Sequence, residues 1–279
     1  MGFLKSLAEL FKGGGNAERT EECVSGGDGR ERRIIHSFSS ICERAVSDIG
    51  GIRVLAAACA DERSRDTGQM PSDPVRRESR ALIAAARRAG CFVEADSIPG
   101  TRYTIRTGES EVRLVQKEQV YYKIKDPFAK SHLKKHPVEF GLFEHIVHNI
   151  LFPDCRLDFL GIAEDVREAR IVYRQKAVRS DMRPTDKQIA ECLSEIGLQP
   201  EGRYSFGNNV LFVTDVGQDG DNVLLDDERR LRFIDPIIGF KQSLLNLLTA
   251  ALEDESNVNE LIFAIHGVAK PEQKGIVSQ

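Results

Sequence analysis

Two short apolar runs near residue 230, Val223-Leu224-Leu225 and Leu231-Arg232-Phe233-Ile234, flank the charged stretch "DDERR". Asn222 stands immediately before the first run and Asp235 immediately after the second. If the runs pair as a hairpin, period-2 geometry puts both polar residues at its open end. Asp215 closes the preceding run "VLFVTD", seven residues before Asn222, and adds a third oxygen-bearing group. Few protein oxygens, completed by water and phosphate, are what Mg²⁺ takes. Each residue alone is also a common turn former. The stretch "DVGQDGDNVLLD" partly imitates a calcium loop. Gly217 stands where a ligand is needed, Asp226 replaces the closing Glu, and no flanking helices are expected.

A second chemical position lies upstream, in "VYYKIK". Lys123 sits within a mostly apolar strand and shares a face with Tyr121 and with Lys125, its rival. A buried ammonium must find a carboxylate or a phosphate. The following helix, "VEFGLFEHIVHNILF", carries Glu139 and Glu144. His145 and His148 give E-H-x-x-H, which is not the H-E-x-x-H zinc pattern. They are expected on a partly exposed helix.

These residues need elements to hold them. "DPVRRESRALIAAARRAG" reads as a helix capped by Asp73, with Pro74 in its first turn and Gly90 past its end. Strands are expected at "CFVEA", "RYTIRTG", "EVRLVQ" and "QVYYKIK", the last two forming a hairpin around Lys117 and Glu118. Then come the Glu139 helix, with Phe140, Phe143, Ile146 and Val147 on one side, and strands at "RLDFLGIAED" and "EARIVYRQKAV". "PTDKQIAECLSEIGL" reads as a helix starting at Pro184 and ending at Gly197. The strand "NVLFVTDV", the hairpin and a closing helix, "IGFKQSLLNLLTAALED", complete the order. Strands with one intervening helix, then mostly helix, predict a two-lobed α+β domain rather than alternating βαβ units.

The 279 residues, 41% hydrophobic and 29% charged, suit one or two globular domains. A net charge of −4 does not point to nucleic acid. No apolar run reaches the roughly 20 residues of a membrane span. Six scattered cysteines without C-x-x-C fit reduced thiols and a cytoplasmic protein rather than a zinc site. Residues 1–12 read as a short amphipathic helix suited to docking on the body, a partner or a surface, and Gly2 with Ser6 fits a loose myristoylation pattern. A Gly-rich linker follows. A helix is expected over about 31–60, broken at Gly50-Gly51, and then a second linker. The expected division is 1–72 as a helical extension, 73–175 as the first lobe and 176–279 as a small, mainly helical second lobe.

In this order the motifs resemble the protein-kinase-like domains of bacterial polyvalent and mobile-element proteins, over roughly residues 75 to 245. "GESEV" resembles the phosphate-covering turn, "VYYK" the lysine strand, "VEFGLFEHIVHNILFPD" the family helix and "IVYRQKAV" the hinge. "PTDKQIAECLSEIGL" resembles the first large-lobe helix, and "TDVGQDGDNVLLDDERRLRFIDPI" the catalytic loop and metal strand. The resemblance implies ATP and Mg²⁺ as cofactors, bound in a cleft between the lobes. Lys123 would hold the α and β phosphates and Glu139, or Glu144, would hold Lys123. Asn222 and Asp235 would bind Mg²⁺, and Asp215 would take the acceptor proton. Backbone amides around Gly108 would cover the phosphates, and backbone groups from Gln175 to Ala177 would meet the adenine. The sequence departs from the usual pattern in three places. The phosphate turn has one glycine. The Asp215-to-Asn222 spacing is two longer than the usual spacing of about five, which makes Asp219 and Asp221 rival bases. "IDP" replaces D-F-G. An active phosphotransferase for a protein or small-molecule hydroxyl is expected, with a weak or inactive pseudokinase-like nucleotide-binding or scaffold module as the alternative.

Overall fold

The computed structural model describes residues 29–64, 73–102, 110–127, 139–166, 168–178, 180 and 182–267. The chain divides into two compact units, Met1–Val178 and Arg179–Gln279. The amphipathic stretch 1–12 and most of both expected linkers lie outside the described residues; the end of the first begins α1, and the second opens on residues 61–64, which are helical in α1.

The first unit is built on one five-stranded antiparallel sheet. Its strands are β1 (Thr101–Arg102), β2 (Ser110–Val115), β3 (Val120–Lys125), β4 (Leu157–Asp165) and β5 (Glu168–Lys176), in the order β1-β2-β3-β5-β4. The β2–β3 hairpin forms as expected, and Gln119 takes a left-handed conformation in its turn. The expected strand at "CFVEA" is reduced to a single parallel bridge between Phe92 and Ile162. There β4 bulges at Gly161, where φ is +147° and a Cβ would lie 2.1 Å from the Cys91 carbonyl oxygen. Only glycine fits that close approach of two backbones.

Three helices accompany the sheet: α1 (Gly29–Ser64), α2 (Pro74–Ala89) and α3 (Glu139–Leu151). α2 begins and ends as its sequence dictates. The Asp73 side chain accepts from the Val75 N–H, and Gly90 closes the helix in the left-handed region. α1 corrects the expected break, since it runs unbroken through Gly50-Gly51. Ala45, Ile49, Ile52, Leu55 and Cys59 form a buried stripe along it. Packing of that stripe on α2 and α3 outweighs the roughly 1 kcal/mol that each glycine costs a helix.

α3 is buried on more than one side. Leu142, Phe143, Ile146, Val147 and Ile150 are in the core, and so are His145 and His148. The expectation of partly exposed histidines is therefore corrected. The sheet takes one side of the helix, where His145 stacks on Phe159 of β4 at 5.8 Å between ring centroids. α1 takes another, where Asp48 meets Asn149.

The second unit contains more strand than the mainly helical lobe expected. β6 (Gln199–Gly202), β7 (Ser205–Gly207), β8 (Leu211–Thr214) and β11 (Ile237–Phe240) form an antiparallel sheet in the order β11-β8-β7-β6, and β9 (Val223–Leu225) pairs with β10 (Leu231–Phe233). The helices are α4 (Asp186–Glu195), α5 (Gln242–Glu253) and α6 (Val258–Ile265). α4 is capped by Thr185 rather than opened by Pro184, and Thr185 and Gln188 form a reciprocal capping box. The closing helix starts at Gln242, because residues 237–240 pair with β8 instead. Gly197 brings the end of α4 against the end of α6, its Cβ position lying 2.0 Å from the His266 carbonyl oxygen.

Candidate functional site

The candidate residues fall in both units. In the first, Lys123 lies on β3, between β2 and β5, and is only 6% exposed. Its partners across the ladders are Val112 and Tyr173. Direct cross-strand neighbours share a face, so Lys123 and Tyr173 look the same way. Tyr173 is fully buried, and its hydroxyl lies 3.4 Å from His145 Nδ1 on α3. Burial, and then the charge of Glu144, push the Tyr173 phenol well above its ordinary range. The face that carries Lys123 is therefore the face toward α3 and Glu144. Lys125 shares that face but is half-buried, opposite Ile171. Glu139 is the first residue of α3, and its side chain lies outside what the structure describes.

Gln175 sits inside the sheet, opposite Tyr121 on one side and Leu157 on the other. Its side chain is buried and donates to the Cys155 carbonyl at 2.7 Å. The Ala177 N–H, just past β5, donates to the Gln119 carbonyl at 2.8 Å. Gly108 lies outside the described residues.

In the second unit the hairpin register places three polar residues at one junction. β9 and β10 pair from Leu225–Leu231 to Val223–Phe233, and the Ile234 N–H donates to the Asn222 carbonyl at 2.8 Å. β11 pairs with β8 from Ile237 opposite Thr214, so the chain enters that ladder beside Asp215. Asp235 is thus the short link between the strand that ends next to Asn222 and the strand that begins next to Asp215. The Asn222 amide donates through Nδ2 to Asp215 Oδ2 at 2.6 Å and to the Asp215 carbonyl at 3.0 Å. Asp215 itself has φ +63°. A non-glycine residue pays conformational energy for that geometry, on the order of 1–3 kcal/mol, and such strain gathers at functional sites.

The two extra residues between Asp215 and Asn222 belong to a loop held at several points. The ring of Tyr204 covers Gly217, where a Cβ would lie 2.6 Å from the ring. Its hydroxyl donates to Asp219 at 3.4 Å. The Gln218 N–H donates to Asp186 at the start of α4 at 2.9 Å. Arg183 donates to the Gly220 carbonyl at 2.9 Å and pairs with Asp221. The rival carboxylates Asp219 and Asp221 are thus engaged by the loop's own anchors, and Asp215 by Asn222. Sequence reasoning missed Tyr204, Arg183 and Asp186, since none carries a motif. The surplus of small and polar residues at 217–221 was the one signal that something must brace the loop.

The donor set suits a hard cation. With Nδ2 turned to Asp215, Asn222 has Oδ1 to offer, and Asp235 follows the strand that pairs next to it. Among the described residues no three His, Cys, Asp or Glu side chains gather as a metal cluster, and no helix is long and apolar enough to cross a membrane. The described cysteines Cys42, Cys59, Cys91, Cys155 and Cys192 are free thiols.

Comparison with curated proteins and with solved structures gives no match. The family model of a serine/threonine/tyrosine kinase found in polyvalent proteins, in contrast, matches residues 76–242. That segment takes in Lys123, Glu144, Asp215, Asn222 and Asp235, together with every strand of the lysine-bearing sheet. On the length of this match, the chain belongs to the family of kinases found in polyvalent proteins and carries a kinase-like, phosphotransferase-type domain.

Proposed function

We propose that the chain is an ATP- and Mg²⁺-dependent phosphotransferase that acts on the hydroxyl of a protein or a small molecule. The observation that carries the reading is the junction at which Asn222 holds Asp215 while Asp235 links the two ladders beside them. Lys123 holds the α and β phosphates, and Glu144, on the helix that its face of the sheet addresses, balances its charge. Glu139 is the alternative partner. Groups at and beyond Ala177 meet the adenine, since the Gln175 side chain is committed to Cys155. Backbone amides near Gly108 cover the phosphates.

Asn222 Oδ1 and the Asp235 carboxylate would hold Mg²⁺, which when bound neutralises charge on the phosphates. Asp215 accepts the hydrogen bond of the acceptor hydroxyl, orients it and takes its proton as the phosphoryl group moves. The Asn222 amide keeps that carboxylate aimed. Asp215 is preferred to Asp219 and Asp221 because those two brace the loop. Positioning and charge stabilisation supply most of the rate in such chemistry.

A second reading rests on the same loop. The two extra residues make the chain a weak or inactive, pseudokinase-like nucleotide-binding or scaffold module if the hydroxyl cannot reach Asp215. Incubation with γ-labelled ATP and Mg²⁺ separates the two. Transfer to an acceptor or to the protein itself, lost in Asp235→Ala, supports the enzyme. Tight ATP binding without any transfer supports the module.

A further inference from the structure

α1 lies wholly outside the segment that the family model matches, yet it is part of the first unit's core. Its buried stripe packs on α2 and α3, and beside that stripe stands one carboxylate, Asp48, with its side chain 14% exposed. Asp48 Oδ1 accepts from Arg156 at 2.6 Å, and Oδ2 accepts from Asn149 at 3.4 Å. Asn149 in turn ties α3 to the start of β4. Its Nδ2 donates to the Leu157 carbonyl at 3.0 Å, and its Oδ1 accepts from the Leu157 N–H at 2.8 Å. Arg156 continues the network through Asp158 at 3.3 Å, and Asp158 accepts from Arg174 of β5 at 3.1 Å. One carboxylate on α1 therefore meets both Asn149, which fastens the C-terminal end of α3 to β4, and Arg156, which stands at the start of β4.

α3 is the helix whose Glu144 faces the Lys123 side of the sheet. Next to Glu144, His145 bonds Tyr173, the cross-strand neighbour of Lys123. The charges of Asp48 and Arg156 also reach His145: burial lowers its pKa, Asp48 opposes that fall and Arg156 adds to it. The Asp48 pair thus acts on the same turn of α3 that serves the lysine.

We propose that Asp48 is a positioning residue for the phosphotransferase site, setting through Arg156 and Asn149 the placement of α3 and hence of Glu144 against Lys123. The inference rests on the role given to Lys123 above. α1 then becomes a working element of the domain rather than an appended extension. Truncating Asp48 leaves half-buried Arg156 with Asp158 in place of its shorter bond to α1 and frees the end of α3 to shift, and misplacements of about 1 Å are enough to cost a reaction up to roughly 100-fold.

The test uses the full chain and two readouts. The first is steady-state transfer from γ-labelled ATP. The second needs no activity: the rate at which Lys123 is acylated by an amine-directed reagent, followed residue by residue by mass spectrometry. Asp48→Ala is expected to lower kcat roughly 10- to 100-fold and to raise Lys123 acylation severalfold, with thermal stability changed by only a few degrees. Asp48→Asn, which keeps an acceptor for Arg156, is expected to recover most of both. Asp61→Ala, which breaks the α1–α2 pair with Arg88 at 3.0 Å rather than the Asp48 network, is expected to match the wild type. Should Asp48→Ala fail to fold, Arg156→Ala reads the same network from its other end. Lys123 acylation at the wild-type rate in the folded variants overturns the inference, as does an equal response to Asp61→Ala. A wild-type chain that transfers no phosphate, yet whose Lys123 acylates faster in Asp48→Ala, sinks the assigned reaction and leaves the positioning role standing.

Discussion

Asp215 is the residue on which the proposed chemistry turns. Its left-handed backbone and its two bonds from Asn222 hold one carboxylate at the end of β8. Asp215→Asn removes the base while keeping the shape, so transfer should slow by roughly 10²- to 10⁴-fold with ATP affinity unchanged. Turnover that survives undiminished would move the base to Asp219 or Asp221. His145 gives a prediction about stability. Burial lowers its pKa to about 4 from 6.5, only partly offset by Asp48. Between those values the unfolded chain binds a proton that the folded chain refuses, so stability falls as pH falls through that window. Urea unfolding should show a loss of about 2 kcal/mol between pH 7 and pH 5, since each pH unit crossed inside the window costs about 1.4 kcal/mol. His145→Gln should flatten that loss, and an unaltered slope in the variant would place the titration elsewhere.

Elements differ in how openly the sequence declares them. The β2–β3 hairpin and α2 are legible because alternation, Asp73 and Gly90 act locally. The β9–β10 hairpin is legible for the same reason: its two apolar runs have each other as their only sensible partner. β6 is not legible, since "QPEG" is short, polar and exposed along its whole length. β11 is hidden because its apolar residues run straight into those of α5. The continuity of α1 is hidden by Gly50-Gly51, which signals a break that only the packing of α1 on α2 and α3 overrules. The anchors of the loop at 217–221 are equally invisible, because Tyr204, Arg183 and Asp186 act at a distance in sequence. One element-scale prediction follows from the β4 bulge. Gly161→Ala sets a methyl 2.1 Å from the Cys91 carbonyl oxygen at φ +147°. Urea unfolding should report a loss of about 3 kcal/mol or more, and a loss below about 1 kcal/mol would mean that the bulge relaxes freely.

For the whole molecule, each compact unit holds part of the proposed machinery: the lysine sheet with α1–α3 in Met1–Val178, and the Asp215–Asn222–Asp235 junction in Arg179–Gln279. A ligand that binds only the folded chain raises its stability by mass action, by about 2.7 kcal/mol at a hundredfold excess over Kd. ATP with Mg²⁺ should therefore raise the wild-type melting temperature by several degrees, and Asp235→Ala should lose most of that rise while melting like the wild type without ligand. Phosphoryl transfer itself is the decisive observable: wild-type and Asp235→Ala proteins incubated with γ-labelled ATP, with and without Mg²⁺. Label should be transferred by the wild type only when Mg²⁺ is present, and not at all by Asp235→Ala. Label transferred equally well by Asp235→Ala, or by the wild type without any divalent cation, would contradict a metal-dependent reaction centred on that junction.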